Sequence, residues 1–371
     1  MSDHRRDLGQ GRQRPLRVAF FGMFPEDNMA SWTFCRWPVD HAAHLGIEAR
    51  LCLPSSPALH ARMNAPGARL RSLRMVIYWY LIVLPRRLWQ LLLVRNYDVA
   101  LLQRGLLHPK SRPFPERLLA RFGPPIAYHL DDALWVLEPK HYRKRVRLAA
   151  RVVTGTESVA EFARANGAEV TEVAYPVEGE RYRVREHRKR RPVTIGWTGA
   201  RAEEYLPTAL PALLEACRSS GARLQVIGGS CRPGLAGADP YLDWKPWRPE
   251  QKFEALADVD IGILPLEDSD WHRGKEPFKL KEYMASGIPV VASPVGHVPC
   301  VLTDSREGYL AATSEEWTAR LLELVADAGL RARLGAAGRE LVLDRFSFER
   351  QMGSLVEVFR ELAGESAPQR P

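Results

Sequence analysis

The chain has 371 residues, 46% hydrophobic and 26% charged, and carries 53 Lys and Arg against 44 Asp and Glu for a formal net charge of +9. That is long for one hydrophobic core, so two domains of ordinary size are expected, and the composition agrees with a soluble α/β enzyme. Cys35, Cys52, Cys217, Cys231 and Cys300 are scattered without CxxC or CxH spacing, which excludes the usual zinc and disulfide patterns and suits a reducing cytoplasm.

In chain order, residues 1–14 hold charges but no apolar h-region, so they read as a disordered basic tail and not as a secretory signal. Leu16–Phe21 is an apolar run closed by Gly22, the pattern of a first buried parallel strand followed by a loop, Met23–Ser31, and a helix over Trp32–Leu45. Further strands are predicted at Glu48–Leu53, Asp98–Gln103, Ile126–Leu130 and Arg151–Thr154. The alternation restarts with strands at Val193–Trp197, Leu224–Gly228, Ile261–Leu264 and Pro289–Ser293, with helical pattern between them such as Leu206–Cys217. Two Rossmann-like domains follow, at 15–180 and 193–344. Arg181–Pro192 between them is a dense basic run, read as a solvated linker, with a nucleic-acid or lipid contact as the alternative. Residues 345–371 begin with a helix, Arg345–Leu362, whose Phe346, Phe348, Leu355 and Phe359 form an apolar stripe, and end in a frayed tail.

Charge is uneven along the chain. Residues 1–190 hold 32 basic and 18 acidic residues, and residues 191–371 hold 21 and 26, so the N-terminal half should seek an anionic partner. Met75–Val94 is apolar enough to raise the membrane question, but Pro85, Arg86 and Arg87 interrupt its centre, and each arginine at mid-bilayer costs about 2.5–3.5 kcal/mol. A spanning helix is therefore rejected. Two readings stay open. One is a helix lying on the bilayer, with Tyr78, Trp79, Tyr80 and Trp89 at headgroup depth and Arg71, Arg74, Arg86, Arg87 and Arg95 on lipid phosphate; the other is a buried core helix.

The densest chemistry lies in Trp271–Gly296. Arg273, Lys275 and Lys279 surround Gly274 just before a short helix, where free backbone N–H groups and the helix dipole favour an anion. Glu282 does not suit phosphate. Its carboxylate, on the predicted helix Glu282–Ser286, suits sugar hydroxyls, and the pair of features implies a nucleotide bearing phosphates and a sugar. Gly287 and Pro289 end the helix before the strand. Val193–Ala200 is a strand and glycine turn at the carboxyl end of a sheet, where Gly196 and Gly199 would let backbone approach a ligand and Arg201 is the nearest cation.

The segment K-L-K-E-Y-M-A-S-G-I-P-V-V-A-S, with Asp260–Leu266 before it, resembles the donor-binding signature of retaining GT-B glycosyltransferases of family 4 (glycosyl transferases group 1). The resemblance implies an α/β fold of two Rossmann-like domains facing across a cleft. It implies donor binding by Gly196, Gly199, Arg201, Arg273, Lys275, Lys279, Leu280 and Glu282, with Glu282 on the ribose and the loop on the pyrophosphate. Many members carry a second glutamate eight positions earlier; here that position is Gly274, and Glu276 is out of register. A branch lacking the first glutamate fits better.

His129, Asp131 and Asp132, at the carboxyl end of a first-domain strand, are the catalytic candidates, close to where many family members place a histidine near the reacting sugar. His129 could equally be a satisfied strand residue. Gly228, Gly229 and Ser230 resemble a second donor-side turn, and Trp244–Trp247 could enclose the base. Asp268-Ser269-Asp270 competes as the metal-binding mark of the single-domain GT-A fold. The favoured reading has no metal and no cofactor beyond a nucleotide diphosphate sugar as substrate. It is a cytoplasmic enzyme, peripheral on the inner face of the cell membrane, transferring sugar with retention to a lipid-linked or polysaccharide acceptor. Nucleic acid is not an expected partner. A sugar-nucleotide epimerase or phosphorylase, and a non-catalytic nucleotide-sugar-binding subunit, are the alternatives.

Overall fold

The computed structural model describes residues 14–64, 71–188, 192–199, 201–229, 232–246, 248, 251 and 253–364. The basic tail before Arg14, Lys189–Arg191 of the basic run, Ala200, Ser230, Cys231, Trp247 and the last seven residues lie outside the described residues. Two six-stranded parallel sheets organise the chain. The first has the order β2-β1-β3-β4-β5-β6, from β1 (Leu16–Gly22), β2 (Ile47–Cys52), β3 (Val99–Gln103), β4 (Ile126–His129), β5 (Arg151–Thr154) and β6 (Val170–Glu172). The second has the order β12-β11-β10-β7-β8-β9, from β7 (Thr194–Thr198), β8 (Arg223–Ile227), β9 (Leu242–Lys245), β10 (Ile261–Leu264), β11 (Val290–Ala292) and β12 (Gly308–Leu310).

Sheets of this kind are covered by helices on both faces, so their central strands read as continuous apolar runs, which is why β1, β3, β10 and β11 are visible in the sequence. Strands β6, β9 and β12 carry no such run and were not expected. All three end their sheets; β6 and β9 are partly exposed, and β6 and β12 are three residues long. The helix expected over Trp32–Leu45 stops at Asp40, after a wide turn at Trp32–Arg36. The last helical stretch is two helices, Ala328–Arg345 and Phe348–Leu362, broken at Phe346 and Ser347.

By internal contacts the chain divides into two compact units, Met1–His108 with Pro113–Ala127 and Val356–Pro371, and Pro109–Arg112 with Tyr128–Leu355. In the first, Phe359 of the final helix meets Phe20 of β1 edge-on at 5.8 Å. Arg14, placed in the tail by sequence, is bound to Asp98.

Two basic stretches behave differently from expectation. Arg181–Arg188 is solvated on one side, with Arg181, Arg183, Val184, Glu186 and Arg188 exposed, and anchored on the other. Tyr182 is buried, the Arg185 backbone N–H bonds Ser286 O at 2.8 Å, and the Arg185 guanidinium grips Asp260, itself 1% exposed, at 2.6 and 3.0 Å. Asp260 also accepts the Thr194 N–H at 2.9 Å, so it joins the run to the start of β7. In Met75–Val94, Tyr78, Trp79 and Arg87 are buried and are not lipid contacts. The Arg87 guanidinium donates to Gly22 O and, at 2.8 Å, to Cys52 O, the last residues of β1 and β2, and at 2.9 Å to Leu106 O in the loop after β3. Burial lowers its pKa to about 10.

At Gly196, mid-strand in β7, a Cβ would stand 2.4 Å from a Val259 methyl. The space belongs to Val259, which supplies a packing reason for this glycine. Gly196→Ala should cost about 1–3 kcal/mol of stability by overpacking. Adding Val259→Ala should recover part of the loss, read as the thermal unfolding midpoint of single and double variants.

Candidate functional site

The helix bearing Glu282 starts at Phe278, four residues before the sequence reading placed it, and runs to Ala285. Lys279 is therefore the second residue of that helix and not part of the loop. Gly287, at φ 66°, ends the helix in the left-handed conformation that favours glycine. Tyr283 fixes the helix on the sheet: its ring lies where a Cβ of Gly262 in β10 would be, and its buried hydroxyl accepts the Thr198 N–H of β7 at 3.0 Å.

Around Tyr205 three cations converge. Lys275 Nζ donates to the Tyr205 hydroxyl at 2.7 Å, Arg201 reaches the same oxygen at 3.4 Å, and Lys279 Nζ stands 5.3 Å from the ring centre and 4.1 Å from that of Trp197. Arg201 has Glu204 at 3.0 Å, but among the described residues neither lysine makes an ion pair. Gly199, at φ 153°, covers Lys279, and any Cβ there would fall 2.3 Å from Nζ. Gly228 closes on the same turn, its missing Cβ leaving room for Gly199 O, while Trp244 Nε1 donates to Gly228 O at 2.8 Å. Burial foremost, then the Lys275 ammonium, push the Lys279 pKa down to about 7, against the pull of Glu282. An anionic group placed here would meet two lysines that make no ion pair among the described residues, beside a helix N-terminus, and would favour the charged form of Lys279.

Glu282 is half-buried and accepts the Tyr182 hydroxyl at 2.6 Å, which orients the carboxylate. Burial and that carboxylate hold the Tyr182 phenol well above its usual range. Arg273 is exposed and engaged with Asp268 at 2.7 and 3.0 Å and Asp270 at 3.5 Å, so the Asp268-Ser269-Asp270 cluster faces a guanidinium. The Leu280 side chain is wholly buried in the second sheet's core.

Glu276 is buried and paired with Lys281, whose Nζ also donates to Tyr175 O at 3.3 Å. A Cβ on Gly155, just after β5, would meet the Glu276 carboxylate at 2.5 Å. Gly274, eight positions before Glu282, packs so closely on Ala133 that a Cβ would fall 2.6 Å from its methyl, leaving no room for a side chain. The catalytic candidates meet the same network: the Tyr175 hydroxyl donates to Asp131, and its ring lies 5.9 Å from His129 and 5.5 Å from Phe278. His129 and Asp131 are buried, and Asp132 is half-buried. Sequence reasoning missed Tyr175, Tyr182 and Tyr205. Trp197 was inside a quoted motif, but nothing in its spacing marked it as a cation platform.

Residues 193–327 match the family described as Glycosyl transferases group 1. The matched span of this group 1 domain holds Gly199, Arg201, Lys275, Lys279 and Glu282. The chain is 38% identical over 90 residues to an alpha-maltose-1-phosphate synthase of Mycolicibacterium smegmatis, covering 22% of the chain and 23% of that protein. Over 204 residues it is 31% identical to a D-inositol 3-phosphate glycosyltransferase of Mycobacteroides abscessus, covering 47% and 43%. It thus spans less than half the length of these curated relatives. Among solved structures, Anabaena Alr3699/HepE in complex with UDP and glucose is similar at a TM-score of 0.63 and 14% identity, over 93% of this chain and 100% of that one. The fold is that of the GT-B glycosyltransferases, and the single-domain GT-A reading falls with it.

Because Lys279 is partly deprotonated near neutrality, binding a phosphate anion against it must take up a proton. Affinity for a nucleoside diphosphate should fall as pH rises above about 7, by at most about tenfold per pH unit for one proton. Calorimetric titration across that range checks this; the permanently charged Lys279→Arg variant should flatten the slope.

Proposed function

We propose that the protein transfers a sugar from a nucleotide diphosphate donor to an acceptor hydroxyl with retention at the anomeric carbon and without a metal ion. It would act in the cytoplasm, on the inner face of the cell membrane, in the assembly of a lipid-linked glycan, lipopolysaccharide or capsule-type polysaccharide, with its N-terminal domain taking the acceptor. The observation that carries the reading is the Arg201, Lys275 and Lys279 cluster on Tyr205 and Trp197, inside the group 1 segment, with Lys279 on the same helix as Glu282.

In this mechanism the bond from the anomeric carbon to the diphosphate oxygen breaks while the acceptor oxygen bonds to the same face. The leaving diphosphate takes the acceptor proton. Lys275 and Lys279 offset the negative charge growing on that oxygen, so charge stabilisation and positioning supply most of the rate. Glu282, aimed by Tyr182, holds the ribose hydroxyls. Asp131, engaged by Tyr175, acts as a positioning residue, while Asp132 and His129 lie on the same strand end. The UDP and glucose bound by the Anabaena neighbour make a uridine-linked hexose the first donor to try.

Purified protein incubated with a panel of nucleotide sugars and a membrane lipid extract should release nucleoside diphosphate from one donor, in an EDTA-resistant, lipid-dependent way. Release that EDTA abolishes would remove the metal-free mechanism; donor binding with no release under any condition would favour a non-catalytic subunit. Glu282→Ala should weaken donor binding by about tenfold or more, the scale of a lost charged hydrogen bond. An unchanged affinity would remove Glu282 from the donor site.

A further inference from the structure

The helical stretch Leu73–Val94 is long and apolar enough to cross a bilayer, yet only 33% of its most apolar window is buried. Its inner face carries Tyr78, Trp79, Val83, Arg87, Gln90 and Val94. Its outer face exposes Leu73, Ile77, Tyr80, Leu81, Trp89 and Leu92, at 51%, 37%, 46%, 71%, 58% and 67%. These positions follow helical spacing. The wide turn at Tyr78–Val83, with its i to i+5 ladder, rotates each residue less about the axis and brings the two halves of the stripe into line. A stripe of exposed aliphatic and aromatic side chains of this length, broken at its centre by exposed Pro85 and Arg86, is a surface that something covers.

We infer that this stripe docks on the face of an anionic lipid bilayer, with the helix lying along it. Charge selects the occupant. Arg71–Val94 has no acidic residue, and residues 61–130 hold 12 basic and two acidic ones. Both acids are already engaged: Asp98 by Arg14 and Arg17, and Glu116, 2% exposed, by the Leu106 N–H at 3.1 Å. Within 61–130 the exposed charges near the stripe are therefore cationic, with Arg86 and Arg95 beside it and exposed Arg117 and Arg121 on the neighbouring helix Phe114–Phe122, which also exposes Phe114 and Phe122; from outside that range exposed Asp27 acts on Tyr78, on the inner face. A second copy of the chain would bring like charge against like in a two-fold contact; lipid phosphates bring the opposite charge.

Arg87 decides against spanning. Its guanidinium is held by the last carbonyls of β1 and β2 and by Leu106 O in the loop after β3, so the helix is pinned by its inner face to the end of the sheet where ligand loops emerge. Docking the outer face therefore sets those loops at a fixed depth relative to the headgroups. The use of that placement, to meet a lipid-linked acceptor, rests on the transferase proposal; the docking itself does not.

Vesicle flotation with no donor present tests the surface. The full chain should float with phosphatidylglycerol-containing vesicles, bind pure phosphatidylcholine vesicles at least about tenfold more weakly, and lose binding as salt rises, in keeping with surface screening. The double variant Leu81→Glu, Leu92→Glu should lose vesicle binding by about tenfold or more while keeping its circular dichroism spectrum and unfolding midpoint, since both side chains already face water. Undiminished binding by that variant would overturn the stripe as the docking face. Equal binding to both lipids would overturn the anionic requirement, and wild-type protein that ignores vesicles but sediments as a dimer would overturn the bilayer in favour of a second copy. Diphosphate release measured on the same preparations separates the two proposals: vesicle binding without release leaves the surface standing and the transferase reading fallen.

Discussion

A lysine ammonium wholly removed from water, Lys281, and the buried Glu276 carboxylate that neutralises it, hold the site together. The four residues between them, 277–280, are the loop's end and the start of the helix, so the pair locks the two as one piece. Its surroundings are tied in through Tyr175 O, the Phe346 ring 3.9 Å from Nζ, and the space left by Gly155. Burial lowers the Lys281 pKa, and Glu276 opposes that shift. Losing one member of such a pair strands a buried charge at a cost of about 3–5 kcal/mol, more than most single contacts contribute.

With the helix fixed, the cations have little freedom. Lys279 rests on Trp197, and Lys275 spends its hydrogen bond on Tyr205, so aromatic rings and a phenol take the place that carboxylates would normally fill. A carboxylate would neutralise the site; a ring face attracts an ammonium without pairing its charge, so the lysine stays open to an incoming anion. Glycines make the geometry accessible, because Gly199 and Gly228 meet backbone to backbone over Lys279 in conformations that side chains would block.

The first compact unit uses the same economy in its long helix. One face is committed to the interior through Arg87, which binds the ends of β1 and β2 and the loop after β3 at once, and the other is left apolar and unpaired. Arginine rather than lysine suits the inner role, since its planar fork can donate to several carbonyls from one position.

The sequence by itself determined the doubly repeated parallel α/β pattern, because strands buried on both faces must be continuously apolar, and it located the helix of Glu282 through its glycine and proline stop. It could not reveal β6, β9 and β12, whose short or edge positions relax that demand. Nor could it sort the basic residues. Arg185, Arg87, Arg273 and Lys281 look like Lys275 and Lys279 in a one-dimensional string, yet the first four are bound to Asp260, to strand carbonyls, to Asp268 and to Glu276. Lys275 and Lys279 stand on the rings of Tyr205 and Trp197 and, among the described residues, make no ion pair with a carboxylate. That difference comes from which distant segments the fold brings within hydrogen-bond reach, a property of tertiary packing that spacing along the chain does not encode.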